Sequence, residues 1–161
     1  MSGFGRILED LNRTGIRYVL IGGIALIRHG VVRATRDVDA VFDPDPENVE
    51  RLRALIAEWG ATRPDRSPLP EGAVAADRNI HLATPHGEID LLCERSSPLG
   101  FAELLARSDI RRVDGVQAPI CSLADLVALK RLAARERDLV DLSDLEAAHG
   151  DLPDSRDPPD A

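Results

Sequence analysis

Residues 18–42 read YVLIGGIALIRHGVVRATRDVDAVF, and the order of side chains within them decides the fold. An apolar run over 18–21 stops at Gly22-Gly23, and a short helical stretch follows. Arg33, Thr35 and Arg36 then lead into Asp37-Val38-Asp39 and a second apolar run over 40–42. In a strand over 37–42, alternate side chains take opposite faces, so Asp37 and Asp39 share one face while Val38 enters the core. Two carboxylates on one face, about 7 Å apart by strand rise, can hold hard divalent ions. Mg²⁺ takes oxygen ligands, usually one or two carboxylates together with substrate phosphates.

The diglycine supplies the complementary chemistry. A strand that breaks at Gly22-Gly23 and opens into a helix presents unpaired N–H groups and the positive end of the helix dipole. Such an end attracts anions, and glycine lets a phosphate come close to the backbone. The structural alternative for the same pair is a tight turn that demands positive φ. With Asp37 fourteen residues beyond Gly23, the stretch has the makings of a metal–nucleotide site.

This arrangement resembles the nucleotidyltransferase superfamily related to DNA polymerase beta. Members carry a Gly-Gly or Gly-Ser turn, a helix, Asp-x-Asp at the head of a strand and a third carboxylate on a neighbouring strand. The matching residues are Gly22, Gly23, Asp37, Asp39 and Asp90, the last within GEIDLL, and residues 33–39 follow the pattern R-x-T-x-D-x-D. The chain is most similar to small stand-alone bacterial and archaeal members, including those of toxin–antitoxin and abortive-infection systems, over most of residues 15–145. The resemblance implies two Mg²⁺ ions, or Mn²⁺, on Asp37, Asp39 and Asp90 as the catalytic group. It also implies an NTP contacted by Gly22, Gly23, Arg33, Thr35 and Lys130. Lys130 lies in LVALKRLAARERDLVDL, which is similar to the family's segment L-K-R-x-x-x-R-x-K-D-x-x-D, whose lysine contacts the nucleotide phosphates. Glu136 stands where proline is common, and Arg137 where lysine is. A salt-bridge-laced helix surface is the alternative for this run, with Asp138 and Asp141 as structural residues orienting Lys130 or Arg135.

Working outward, 161 residues suggest one domain with a true core. It is placed at residues 1–150, with a core over 1–95, a C-terminal helical part over 96–150, and an acidic tail, 151–161, expected to be disordered. Aromatics make up only 3% of the chain, so the core falls to Leu, Ile, Val and Ala. No apolar run approaches the ~20 residues that span a bilayer. The N-terminal stretch is interrupted by acidic residues and does not resemble a signal peptide, so a cytoplasmic location is expected. Cys93 and Cys121 have no zinc-like spacing and are expected to be buried thiols. His81 and His86 suit neither a helical pair nor one strand face, which argues against a histidine metal site. The net charge of −8, of which the tail's four Asp and one Arg supply −3, does not advertise a large nucleic-acid footprint.

The periodicity predicts a helix over 3–14, strands over 16–21 and 38–42, and a short helix over 23–29. A longer helix begins at Pro46 and runs to about Trp59. Residues 60–77 are irregular, with three prolines and two glycines. Strands over 80–83 and 88–92 flank the turn 84–87, with Asp90 expected on the face opposite Ile89 and Leu91 among apolar neighbours. A helix over 99–106, a hairpin turning at Asp114-Gly115, and helices over 123–134 and 136–148 complete the chain.

The expected fold is α/β of the α+β kind: a mixed sheet of four or five strands, helices packed on it, and a C-terminal helical segment closing the nucleotide cleft. The expected reaction is metal-dependent transfer of a nucleoside monophosphate from an NTP to an acceptor hydroxyl, releasing pyrophosphate. The acceptor is left open among RNA such as tRNA, protein and small molecules, and a cognate toxin or antitoxin is a further expected partner. The alternative is a non-catalytic module of the same fold that binds a nucleotide or a toxin–antitoxin partner.

Overall fold

The computed structural model describes residues 2–97 and 99–154. Residues 155–161, most of the tail expected to be disordered, lie outside the described residues. Helix α1 (Gly3–Arg13) precedes β1 (Tyr18–Ile21), which runs directly into α2 (Gly22–Arg28). Strand β2 (Asp37–Phe42) and α3 (Pro46–Trp59) follow, then the hairpin β3 (Ile80–Thr84) and β4 (Gly87–Leu92). Helix α4 (Phe101–Ala106), the hairpin β5 (Asp109–Val113) and β6 (Val116–Ile120), and the helices α5 (Leu123–Ala133) and α6 (Glu136–His149) complete the chain.

All six strands join one mixed sheet in the order β3-β4-β2-β1-β6-β5. Strands β1 and β2 are antiparallel, β2 and β4 parallel, and β1 and β6 parallel. The count of four or five strands is therefore corrected to six. The last hairpin enters the same sheet because β6 lies beside β1, with Leu20 opposite Ile120. Both strands of that hairpin come from the part of the chain expected to be helical.

Burial explains the central position of β1. All four of its residues are buried, as suits a strand covered on both faces. One cluster of buried Leu, Ile and Val residues, with Phe42, Trp59 and Phe101, extends from Ile7 to Leu145. Both cysteines are buried within it. Helix α3 forms where the sequence marks both ends. The Asp45 carboxylate accepts from Glu47 N at 3.0 Å, Pro46 occupies the first turn, and Gly60 closes the helix in the left-handed region.

Two tight turns set register. The β5–β6 turn, Asp114-Gly115, has positive φ at both residues, the form whose twist matches antiparallel strands. Asp114 Oδ2 also accepts from Ser2 N at 2.6 Å and Gly5 N at 3.1 Å, capping α1. The β3–β4 turn is shorter than expected, because Thr84 pairs with Gly87 and leaves only Pro85-His86 between the strands.

Candidate active site

The β1–α2 junction, the head of β2, β4 and the facing ends of α5 and α6 enclose a cleft of about 820 Å³. Each proposed site residue lines it. Asp39 lies opposite Asp90 in the parallel β2–β4 register, and Asp37 opposite Glu88. Strand alternation buries Val38, Ile89 and Leu91 completely and leaves Asp37, Asp39 and Asp90 half-buried on the cleft side. Asp90 accordingly sits among charged neighbours, not the apolar ones expected.

These carboxylates crowd one another. Burial, reinforced by the charges of Asp37 and Asp90, pushes the Asp39 carboxyl up to about 6, against a backbone hydrogen bond from Gly23. Burial and then Asp37 raise Asp90, while the charges of His81, Arg135 and Arg137 pull it back. Among the described residues no three acidic, histidine or cysteine side chains close into a metal cage. The arrangement is two neighbouring carboxylates with a third along the strand, a hard oxygen donor set open on its cleft side.

The diglycine is shaped around this group. Gly22 has φ of +63°, and a Cβ there would lie 2.2 Å from Asp39 Oδ2. A Cβ on Gly23 would meet Thr35 Oγ1 at 2.5 Å. Thr35 donates to the Asp37 carbonyl at 3.2 Å, so the loop before β2 is folded against the turn after β1. The Gly23 amide already donates to Asp39. Helix α2 has only seven residues, so any anion there meets a few local amides and not a long helix dipole.

The opposite wall is a network of ion pairs. Lys130 Nζ donates to Asp138 Oδ1 at 2.9 Å and to Asp141 Oδ2 at 2.7 Å. Asp141 also binds Arg33, and Asp138 accepts from Arg135 Nε at 2.7 Å and from its backbone N at 3.1 Å. Burial works to raise Asp138, but the bonds from Arg135 and Lys130 hold it down at about 2. Lys130 is only 9% exposed, so its charge is balanced inside the protein. Its third N–H is the one left for a ligand.

Two cleft features were not anticipated. His81 lies directly opposite Asp90 in the β3–β4 register and meets Glu88 Oε2 at 3.1 Å. Counting outward from a two-residue turn at Pro85-His86 would have predicted that pairing. Arg36 has no acidic ion-pair partner among the described residues and lines the cleft.

With this geometry in view, the sequence match decides the family. The model of the nucleotidyl transferase AbiEii toxin family, of type IV toxin–antitoxin systems, matches residues 6–157. The chain belongs to that AbiEii family. No curated protein matches the chain in sequence. Among solved structures, an antigenic nucleotidyltransferase-like protein from Paracoccidioides brasiliensis superposes with a TM-score of 0.59 at 16% identity, over 89% of this chain and 72% of that one. The lincosamide adenylyltransferase LnuA, lincomycin-bound, gives 0.57 at 15% identity, over 91% and 96%. ANT(2″)-Ia in complex with adenylyl-2″-tobramycin gives 0.60 at 14% identity, over 91% and 87%. These likenesses show that the AbiEii chain shares the nucleotidyltransferase fold.

Proposed function

We propose that this AbiEii-family chain is an active nucleotidyltransferase that moves a nucleoside monophosphate from an NTP to an acceptor hydroxyl in a Mg²⁺-dependent reaction. The observation that carries the reading is the register of Asp39 against Asp90, with Asp37 two residues away on the same face, beside the diglycine. Burial, and after it the charge of neighbouring carboxylates, raises Asp39 and Asp90, and a carboxylate group held in this way suits an added cation. The donor set fits Mg²⁺, which needs only one or two carboxylates when phosphates complete its shell.

In the bond-making step the acceptor oxygen attacks the α-phosphorus, the bond to the bridging β-oxygen breaks, and pyrophosphate departs. Asp37, Asp39 and Asp90 would hold the Mg²⁺, and Asp90 would also take the proton of the acceptor hydroxyl. When bound, the ion offsets phosphate charge and favours in-line attack. Gly22 and Gly23 keep the backbone free of side chains where the phosphates approach. Lys130, fixed by Asp138 and Asp141, presents its remaining N–H to them. Arg33, bound to Asp141, and Thr35, folded on Gly23, hold the loop that carries Asp37.

The chain's role as the toxin of a type IV pair, acting in the cytoplasm on RNA, protein or a small molecule, belongs to the same proposal. The test is incubation with α-³²P-labelled NTPs, Mg²⁺ and a cell lysate separated into RNA, protein and small-molecule fractions. Label in one fraction, lost in Asp37→Ala, supports the transferase and identifies its acceptor class. Equal labelling by wild type and Asp37→Ala contradicts it.

A further inference from the structure

The register of the sheet draws one line of residues across four strands. Ile21, the last residue before the diglycine, pairs with Asp39, Asp39 with Asp90, and Asp90 with His81. Directly paired residues put their side chains on the same face of a sheet. Asp39, Asp90 and His81 accordingly all line the cleft. Neighbouring strands lie about 4.8 Å apart, so the His81 imidazole is the next side chain beyond Asp90, on the side away from the diglycine. Glu88, two residues before Asp90 on the same face, holds the ring, with Oε2 3.1 Å from His81 Nε2. A carboxylate accepts hydrogen bonds and has none to give, so Nε2 carries the hydrogen and Nδ1 keeps its lone pair. Nδ1 has no hydrogen-bond partner among the described residues.

In-line displacement fixes which substrate meets this end of the cleft. The attacking oxygen and the departing pyrophosphate lie on opposite sides of the α-phosphorus. With the phosphates at the diglycine, the acceptor enters from the β3–β4 end. Besides Asp90, the cleft residues there are His81, Glu88, Leu92 and Ser96, with no lysine or arginine to attract a polyphosphate. We infer that His81 binds the acceptor: Nδ1 accepts a hydrogen bond from a second donor group of that molecule and so holds its reacting hydroxyl against Asp90. This deepens the transferase reading and rests on it. The reacting hydroxyl has one hydrogen, which goes to Asp90, so the bond to Nδ1 comes from a neighbouring hydroxyl or N–H of the same molecule. Glu88 acts through the ring, as the group that keeps Nε2 occupied and Nδ1 available.

The test titrates the lysate fraction that wild type labels against the full chain, with Mg²⁺ and the α-³²P-labelled NTP that wild type uses. Compared with wild type are His81→Leu, His81→Asn, whose side-chain oxygen can stand where Nδ1 stood, and His86→Gln in the β3–β4 turn as a control. His81 is exposed on the edge strand β3, so folding is not at stake. His81→Leu is expected to raise the half-saturating amount of the fraction about tenfold, as for loss of one hydrogen bond. Its transfer at saturation and its equilibrium binding of the NTP should stay within about twofold of wild type, as should every His86→Gln value. His81→Asn should recover half-saturation to within about threefold. Half-saturation unchanged in His81→Leu would overturn the assignment. So would an equal loss of NTP binding, or a loss that Asn does not recover. Wild type that labels no fraction would instead overturn the transferase reading beneath it.

Discussion

At the scale of single residues, the site is built from groups that work against folding. Asp39 has a native pKa of about 6 against an ordinary 3.8, so the folded state holds its proton more tightly than the unfolded chain. Stability must therefore fall as pH rises through the window from about 4 to 6, and the penalty is complete above it. Without divalent ions, Asp39→Asn should stabilise the protein at pH 7.5 by on the order of 1–3 kcal/mol and flatten that slope, while abolishing transfer. Urea melts at pH 5 and 7.5 check both; an unchanged or lower midpoint at pH 7.5 contradicts a penalty from burying Asp39 beside Asp37 and Asp90. Gly22 offers a second single-residue test. Gly22→Ala and Gly15→Ala suffer similar left-handed strain, at φ of +63° and +68°, but a Cβ meets the Asp39 carboxylate only at position 22. Gly15→Ala should cost about 1 kcal/mol. Gly22→Ala should cost at least twice that and remove activity, and equal costs would argue against contact between turn and carboxylate. Asp37 and Asp39 were legible because strand alternation is a local rule. His81 was not, because its place opposite Asp90 depends on whether the turn holds two residues or four.

At the scale of elements, α5 and α6 meet through charge. Lys130, Asp138 and Asp141 are at most 9% exposed and hydrogen-bonded to one another or to Arg33 and Arg135. Removing one partner leaves the others buried and uncompensated, which typically costs about 3–5 kcal/mol. Lys130→Met should fall in that range and should also free the loop carrying Arg33, seen as faster amide exchange over residues 31–36. A loss below about 1 kcal/mol would show that the network is not holding the helices. Asp138, held at about 2, works in the opposite direction to Asp39. Its contribution is present above about pH 4 and disappears as pH falls through 2. Among the elements, α3 was readable to its ends because Asp45, Pro46 and Gly60 mark them locally. The sixth strand was under-counted because β6 finds β1 across a hundred residues of chain, and no local pattern reports a parallel pairing. The cap that Asp114 places on α1 escaped for the same reason.

At the scale of the whole molecule, one sheet carries both halves of the chemistry. Strands β1, β2 and β4 bring the diglycine and the carboxylates together, and β6 leads into α5 and α6, which bring Lys130, Arg135 and Arg137 to the cleft. No described helix is long and apolar enough to cross a membrane. Family membership supports nucleotidyl transfer as the general chemistry, and the fold is shared with the solved structures above. The direct test follows which phosphate moves. Wild type, Asp39→Asn and Asp90→Asn are incubated with Mg²⁺ and cell lysate, once with α-³²P-ATP and once with γ-³²P-ATP, and again with the other NTPs. Wild type should place the α label on acceptor and the γ label in pyrophosphate, and both variants should do neither. Acceptor carrying the γ label, or transfer of the α label that survives loss of Asp39, would contradict a nucleotidyltransferase built on these three carboxylates.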